Sequence, residues 1–329
     1  MAARKKSAKK KSAKSRTSGG STAKKSASKK AASGKKSAKK RASKKSGGNP
    51  GVWLVGVGVV GLGVVAALAL GQSDGEAEET QPEVEEVETV EVVDPGAPVV
   101  PVAYDVEVVA RHPHDDSAFT QGLLWHEGEL YESTGLVGRS SIRRWDLSSG
   151  QITQRTEVPD VFAEGLERVG DELFQLTWRD GLLLVYDRET FELKRELEYE
   201  GEGWGLCFDG EHLVMSDGSH ELTFRDPETF AVERRIQVRK VGRPLRMLNE
   251  LECVDGAIWA NVWQRNDIVK IDPATGNVTA TVDASGLLTF AERRGADVLN
   301  GIAWIPERER FVITGKLWPA AFEIDLVER

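Results

Sequence analysis

Five residues occupy one place in a recurring pattern, each just before a Gly-Leu pair or its Glu-Leu or Gly-Ile counterpart: Gln121, Glu164, Trp204, Asn249 and Asn300. A set of positions serving packing alone would favour small or apolar groups. This one holds three amides, a carboxylate and an indole. A second set lies about a strand's length further on: Ser133-Thr134, Thr177-Trp178, Ser216-Asp217, Asn261 with Trp263, and Thr314 with Lys316. Amides, tryptophans and one lysine converging at one mouth would form a small-molecule pocket with a hydrogen-bonding floor. A water-filled channel whose polar groups satisfy strand ends fits the same pattern. Glu164 is the only carboxylate immediately before a Gly-Leu pair. Apolar walls around such a group would lift its pKa toward neutrality, where one carboxyl can both accept and return a proton.

The elements that must position these residues repeat five times. The copies begin QGLLWHEGELYEST, EGLERVGDELFQLT, WGLCFDGEHLVMSD, NELECVDGAIWANV and NGIAWIPERERFVIT. Each is apolar alternation folded about a turn, the signature of a β-hairpin. Each is followed by a segment carrying an Asp: Asp146, Asp187, Asp226, Asp272 and Asp325, spaced 41, 39, 46 and 53 residues apart. Such Asp turns would join a third strand to a fourth. Four short strands per copy and five copies predict an all-β, five-bladed β-propeller over residues 102–329. The last copy lacks a fourth strand, and YDVEVVARH, ahead of the first copy, has the alternation to supply it and leave no open edge. LLTFAERRGADVL is the one candidate helix.

The flanking segments differ in kind. Residues 1–50 carry 19 Lys and Arg and no acid. The remainder therefore has 44 − 19 = 25 basic groups against 52 acids, a net charge of −27. A Lys/Ala/Ser block without large apolar residues cannot offset chain entropy and should be disordered, either merely solvated or bound to anionic lipid or nucleic acid. Residues 51–71 are uncharged and long enough to cross a bilayer as one transmembrane helix. The GVGVVG inside them matches a dinucleotide-binding loop, but no strand precedes it and no βαβ unit follows. Positive charge before the span and acid after it predict a signal anchor with a cytoplasmic N-terminus and an extracytoplasmic body. Residues 72–101, acidic and Pro/Glu-rich, read as an extended linker.

FTQGL (119–123), FAEGL (162–166), LTWR (176–179), EGWGL (202–206), LNELE (248–252), NVW (261–263), LNGIAW (299–304) and TGKLWP (314–319) together resemble the plant and bacterial glutaminyl-peptide cyclotransferases. These five-bladed propellers are acyltransferases that turn an N-terminal glutamine into pyroglutamate and release ammonia. The resemblance runs from about residue 106 to the C-terminus. It implies that Glu164 is the catalytic acid. Trp204 and Trp263 would be apolar walls, Phe119 would pack on the substrate's apolar face, and Gln121, Asn249 and Lys316 would bind the carboxamide and its developing oxyanion. It also implies peptide or protein substrates, a monomeric catalytic body and no cofactor.

Two other residue sets are expected to be inert. His112 and His114, in RHPHDD, read as solvated loop residues and not as a metal site, while a structural metal in the channel near Asp217 stays open. Cys207 and Cys253 lie in the first strands of neighbouring copies but differ by one in the repeat, which predicts opposite-facing, free, buried thiols. The competing function is a non-catalytic, membrane-tethered propeller that binds peptides or envelope components. A propeller hydrolase would need a metal held by several channel carboxylates, which Glu164 and Glu250 alone supply poorly.

Overall fold

The computed structural model describes residues 91–92 and 96–329. The basic tail and the span expected at 51–71 lie outside the described residues, as does most of the linker. Among the described residues no helix is long and apolar enough to cross a membrane.

The described chain is all-β. Its only helical element is the 3-10 turn Glu292–Arg294, which buries no residue. The helix expected across LLTFAERRGADVL is confined to that turn; the flanking Leu287, Leu288 and Ala296 pack on the core from non-helical backbone. Each of the five repeats forms a four-stranded antiparallel unit. The first unit comprises Thr120–His126, Glu129–Thr134, Ser141–Trp145 and Ile152–Glu157, hydrogen-bonded in chain order. The inner strands are buried on both faces at the end that begins each unit, whereas the outermost strand Ile152–Glu157 alternates between half-buried and exposed. That is the pattern expected when only a strand's inner neighbours are covered.

Units four and five merge into one eight-stranded sheet. Val102–Pro113 pairs antiparallel with Ala320–Glu328 and parallel with Val278–Asp283. The strand expected to close the last unit therefore does so, and it also ties that unit to its neighbour. Glu91–Val92 adds a short parallel edge strand to unit three.

The Asp turns form in four copies. Asp146 Oδ1 accepts from Ser149 N at 2.8 Å, Asp187 Oδ1 from Thr190 N at 2.9 Å, Asp226 Oδ1 from Thr229 N at 2.7 Å and Asp272 Oδ1 from Ala274 N at 2.9 Å. Asp325 is no turn. It lies inside the strand Ala320–Glu328, opposite Glu107, and accepts from Arg310 Nε at 2.8 Å. Its unit takes its fourth strand from the other end of the chain, so nothing has to turn there.

First strands of successive units touch in the order one, two, three, four, five, one. The glycine of the Gly-Leu pair makes this possible. A Cβ on Gly122 would stand 2.4 Å from Leu166 N, and one on Gly205 would stand 2.0 Å from Asn249 O. Five apolar clusters fill the seams, one between each pair of adjoining units, as with Leu124, Ile142, Leu166 and Leu184 between units one and two. Each fully buried Leu or Ile contributes about 1.5–3 kcal/mol.

The seams correct the expectation for the cysteines. Cys207 and Cys253 form a disulfide, with Cα atoms 5.5 Å apart, and no free cysteine remains. Residues of opposite parity do point to opposite faces of one sheet. Around a ring, however, each sheet turns one face to the unit before it and the other to the unit after it. Side chains that meet across a seam therefore have opposite parity, and these two meet between units three and four.

The histidines are corrected too. His114 is buried, with Nδ1 2.8 Å from Trp318 O and Nε2 3.2 Å from Glu132 Oε1. His112 is the last residue but one of the long closing strand, its Nε2 3.6 Å from Glu323 Oε2. Acidic partners on the adjoining strands draw both rings inward.

Candidate active site

The five repeated positions stand at the start of the first strands, where the ladder is irregular. Register shifts fall between Thr120 and Gly122, Ala163 and Leu166, Leu248 and Leu251, and Leu299 and Ile302. Gln121, Glu164, Asn249 and Asn300 are the residues so displaced. A bulge leaves a residue out of the ladder and re-aims its side chain. In unit three the strand begins only at Leu206, and Trp204 N donates to Ser216 O at 3.0 Å.

Four of these five residues reach one cavity of about 380 Å³, lined by Phe119, Gln121, Phe162, Glu164, Trp178, Trp204, Asn249, Trp263, Gln264, Asp297, Val298 and Lys316. The seven residues to which the resemblance gives site roles, Glu164, Phe119, Gln121, Trp204, Asn249, Trp263 and Lys316, line it together. Asn300 does not. It is wholly buried and donates through Nδ2 to Thr120 O at 3.0 Å, behind Gln121. Asp217 is also absent from the cavity; it is exposed and accepts from Ser219 N at 2.8 Å.

The walls are aromatic. Trp204 and Trp263 meet edge to face with centroids 5.5 Å apart, Phe162 contacts Trp178 at 5.5 Å, and Phe119 contacts Phe162 at 6.1 Å. Gly218, with φ +77°, makes room for the first pair, since a Cβ there would stand 2.6 Å from the Trp204 ring. The floor is polar. Lys316 Nζ donates to Gln121 Oε1 at 2.6 Å and lies 4.9 Å from the centre of the Phe119 ring. Asn249 Oδ1 is buried without a hydrogen-bond partner among the described residues.

Glu164 is 6 % exposed. Among the described residues no group hydrogen-bonds its carboxyl or forms a salt bridge with it. Burial raises its pKa well above the ordinary carboxylate range; Lys316 opposes the rise and Glu202 adds to it. Burial conversely lowers the pKa of Lys316, against the pull of Glu164 and Asp297. A carboxyl of raised proton affinity facing a cavity can shuttle a proton near neutral pH. A cation beside it can stabilise a developing oxyanion. Among the described residues no group of three or more His, Cys, Asp or Glu is arranged to hold a metal ion.

The sequence pattern set Trp178 in the second group of residues expected at the mouth and placed Phe162 in a motif without a role. It missed Gln264, Asp297 and Val298. Asp297 lies in a connection that carries no repeat signal; Gln264 directly follows Trp263, and its proximity to a repeat position was the only clue.

Residues 81–326 match the family model described as glutamine cyclotransferase. The chain is 42% identical over 228 residues to a glutaminyl-peptide cyclotransferase of Arabidopsis thaliana, spanning 68% of this chain and 71% of that protein. It also matches the crystal structure of Myxococcus xanthus glutaminyl cyclase with 42% identity and a TM-score of 0.64, covering 70% of this chain and 99% of the other.

Proposed function

The chain belongs to the glutamine cyclotransferase family, and from that premise we propose that it converts the N-terminal glutamine of peptides to pyroglutamate at the cavity around Glu164. The reading carries with it a five-bladed β-propeller, supported by five four-stranded units whose first strands touch in a closed order.

In the reaction the substrate's α-amine attacks its own γ-carboxamide carbon and closes a five-membered ring. A C–N bond forms within the substrate, one breaks, and ammonia leaves. One proton must leave the amine and one must reach the departing nitrogen, and Glu164 takes the first and supplies the second. Trp204 and Trp263 hold the side chain folded, so that amine and carbonyl carbon stay within attack distance. Phe119 covers the apolar face of the methylenes. Lys316, positioned by Gln121, faces the carbonyl oxygen as it gains charge. The unpartnered Asn249 Oδ1 accepts from the carboxamide N–H, an orientation that presents the carbonyl carbon to the amine. Attack is intramolecular, and no step draws on a cofactor.

The observation that carries the reading is the unpaired, buried Glu164 carboxyl inside an aromatic cavity. A tethered binding module would give no reason to keep such a group, whose burial costs stability. The membrane placement remains part of the proposal: residues 51–71 anchor the chain, with the basic tail cytoplasmic and free to meet anionic lipid or nucleic acid. The Cys207–Cys253 disulfide supports an extracytoplasmic body, since such bonds persist in oxidising compartments.

The test incubates the full chain with a short peptide bearing N-terminal Gln and follows ammonia, beside Glu164→Gln. Release lost in the variant is the expected result. Release that persists would move the proton transfer to another group, and no release from the folded wild type would favour the binding module.

A further inference from the structure

The aromatic wall is built in two pieces. Phe119, Phe162 and Trp178 form one run across units one and two, while Trp204 and Trp263 form the other across units three and four. Between Trp178 and Trp204 stands Glu202, whose Oε2 accepts from Trp178 Nε1 at 2.9 Å and from Trp204 Nε1 at 3.1 Å. Its other oxygen accepts from Arg179 Nε at 2.8 Å, and the Arg179 guanidinium lies 3.8 Å from the centre of the Trp178 ring. The backbone fixes this arrangement. Gly203 N donates to Trp178 O at 3.1 Å, and a Cβ on Gly203 would stand 2.2 Å from Tyr199 Oη. Glu202 is thus pinned where two units meet, between the two aromatic runs.

We infer that Glu202 is a positioning residue for the cyclisation: a single carboxylate oxygen joins the two aromatic runs by their indole N–H groups, and its negative charge acts on Glu164. The inference rests on the reading of Glu164 as the proton carrier. Glu202 is held below the ordinary carboxylate pKa; burial opposes this, and bonds from Trp204, Arg179 and Trp178 outweigh it. It therefore stays ionised across the working range. The groups acting on Glu164 are Lys316, Glu202 and Tyr199, whose hydroxyl donates to Thr177 O. Lys316 favours the charged form of Glu164 and Glu202 disfavours it.

The two roles separate by substitution. An amide oxygen can accept from both indoles as the carboxylate does, so Glu202→Gln keeps the wall and removes the charge. The acid limb of kcat/KM, below which both Glu164 and the substrate amine are protonated, then moves to lower pH while KM stays near wild type. Lys316→Met moves the same limb to higher pH. Glu202→Ala parts the two runs, raising KM and lowering kcat/KM by about 10- to 100-fold. Glu202→Asp, charged but one methylene short, leaves the limb near wild type and shares the rise in KM.

Infrared titration of the carboxylic acid band that disappears in Glu164→Gln measures the same proton affinity without turnover. Its midpoint falls in Glu202→Gln. If the full chain cyclises no peptide, the activity reading fails, and the band still decides the effect of Glu202's charge on Glu164. An unmoved band and limb in a folded Glu202→Gln would overturn the effect of the charge. A wild-type KM in Glu202→Ala would overturn the positioning. Failure of both Gln and Asp variants to fold would assign Glu202 to stability alone and overturn the inference.

Discussion

Glu132 and Glu164 are buried carboxyls in adjoining units, and they hold protons with opposite strength. Glu132 lies in the second strand of unit one, Glu164 in the first strand of unit two. Glu132 Oε2 accepts from Arg143 Nε at 2.9 Å and Nη2 at 2.7 Å; Oε1 takes Thr120 Oγ1 at 2.6 Å and faces His114. Burial would raise its pKa, but Arg143, His114 and Thr120 overwhelm that and bring it to about 2. Glu164 has comparable burial and no bonded partner, so its pKa goes the other way. Burial supplies the penalty for charge in both places, and partners decide whether it is met. The paired carboxyl ties the closing strand to unit one, since His114 also reaches Trp318 O. The unpaired one is left free for chemistry.

The largest effect tests the unpaired side. Glu164→Gln should lower kcat by about 10²–10⁴-fold, the range of general acid–base catalysis, in steady-state ammonia release. A smaller loss would erase the functional half of the contrast. On the paired side, Glu132→Gln leaves Arg143 facing only Asp115 and removes the carboxylate beside His114. Denaturant unfolding should show a loss of about 3–5 kcal/mol.

Reduction of Cys207–Cys253 is a control away from both carboxyls. It should cost about 2–4 kcal/mol and move neither titration.

The pH dependence sharpens the comparison by sign. The folded pKa of Glu132, about 2, lies below the ordinary carboxylate value of 4.5, so its stabilisation is full above that value and is lost as pH falls toward 2. Unfolding measured across this window should show a steep loss in the wild type and a shallower one in Glu132→Gln. For Glu164 the folded value is the higher one. Its ionisation therefore costs stability at neutral pH, and the cost fades as pH falls through the folded pKa. The smallest effect follows: Glu164→Gln should gain about 1 kcal/mol at neutral pH, with the gain shrinking in acid. A loss there would mean that Glu164 is paired after all.

Much of this was legible in the residues. The five-fold repetition of a Gly-Leu-like pair and hairpin, with an Asp turn in four of the copies, marked the all-β units, and its shared position picked out Gln121, Glu164, Trp204 and Asn249. Asn300 followed the same pattern and missed the cavity, because a repeat position specifies a place in a strand and not the direction in which a bulge turns the side chain. Glu202 lay in a quoted motif without a role, since nothing in EGWGL shows that one carboxylate serves indoles from two units.

By itself the sequence determined the period, the strand alternation, the closing of the last unit from the other end of the chain and the types of residue at the site. These are local properties, carried by spacing and by the match of apolar pattern to strand geometry. Only the tertiary structure decided the rest: that Cys207 meets Cys253, that His114 turns inward to Glu132, and that Glu164 stays unpaired while Glu132 does not. The reason is the same in each case. Facing sheets bring together residues distant in the chain and of opposite parity, and a carboxyl's charge state depends on which partners arrive there.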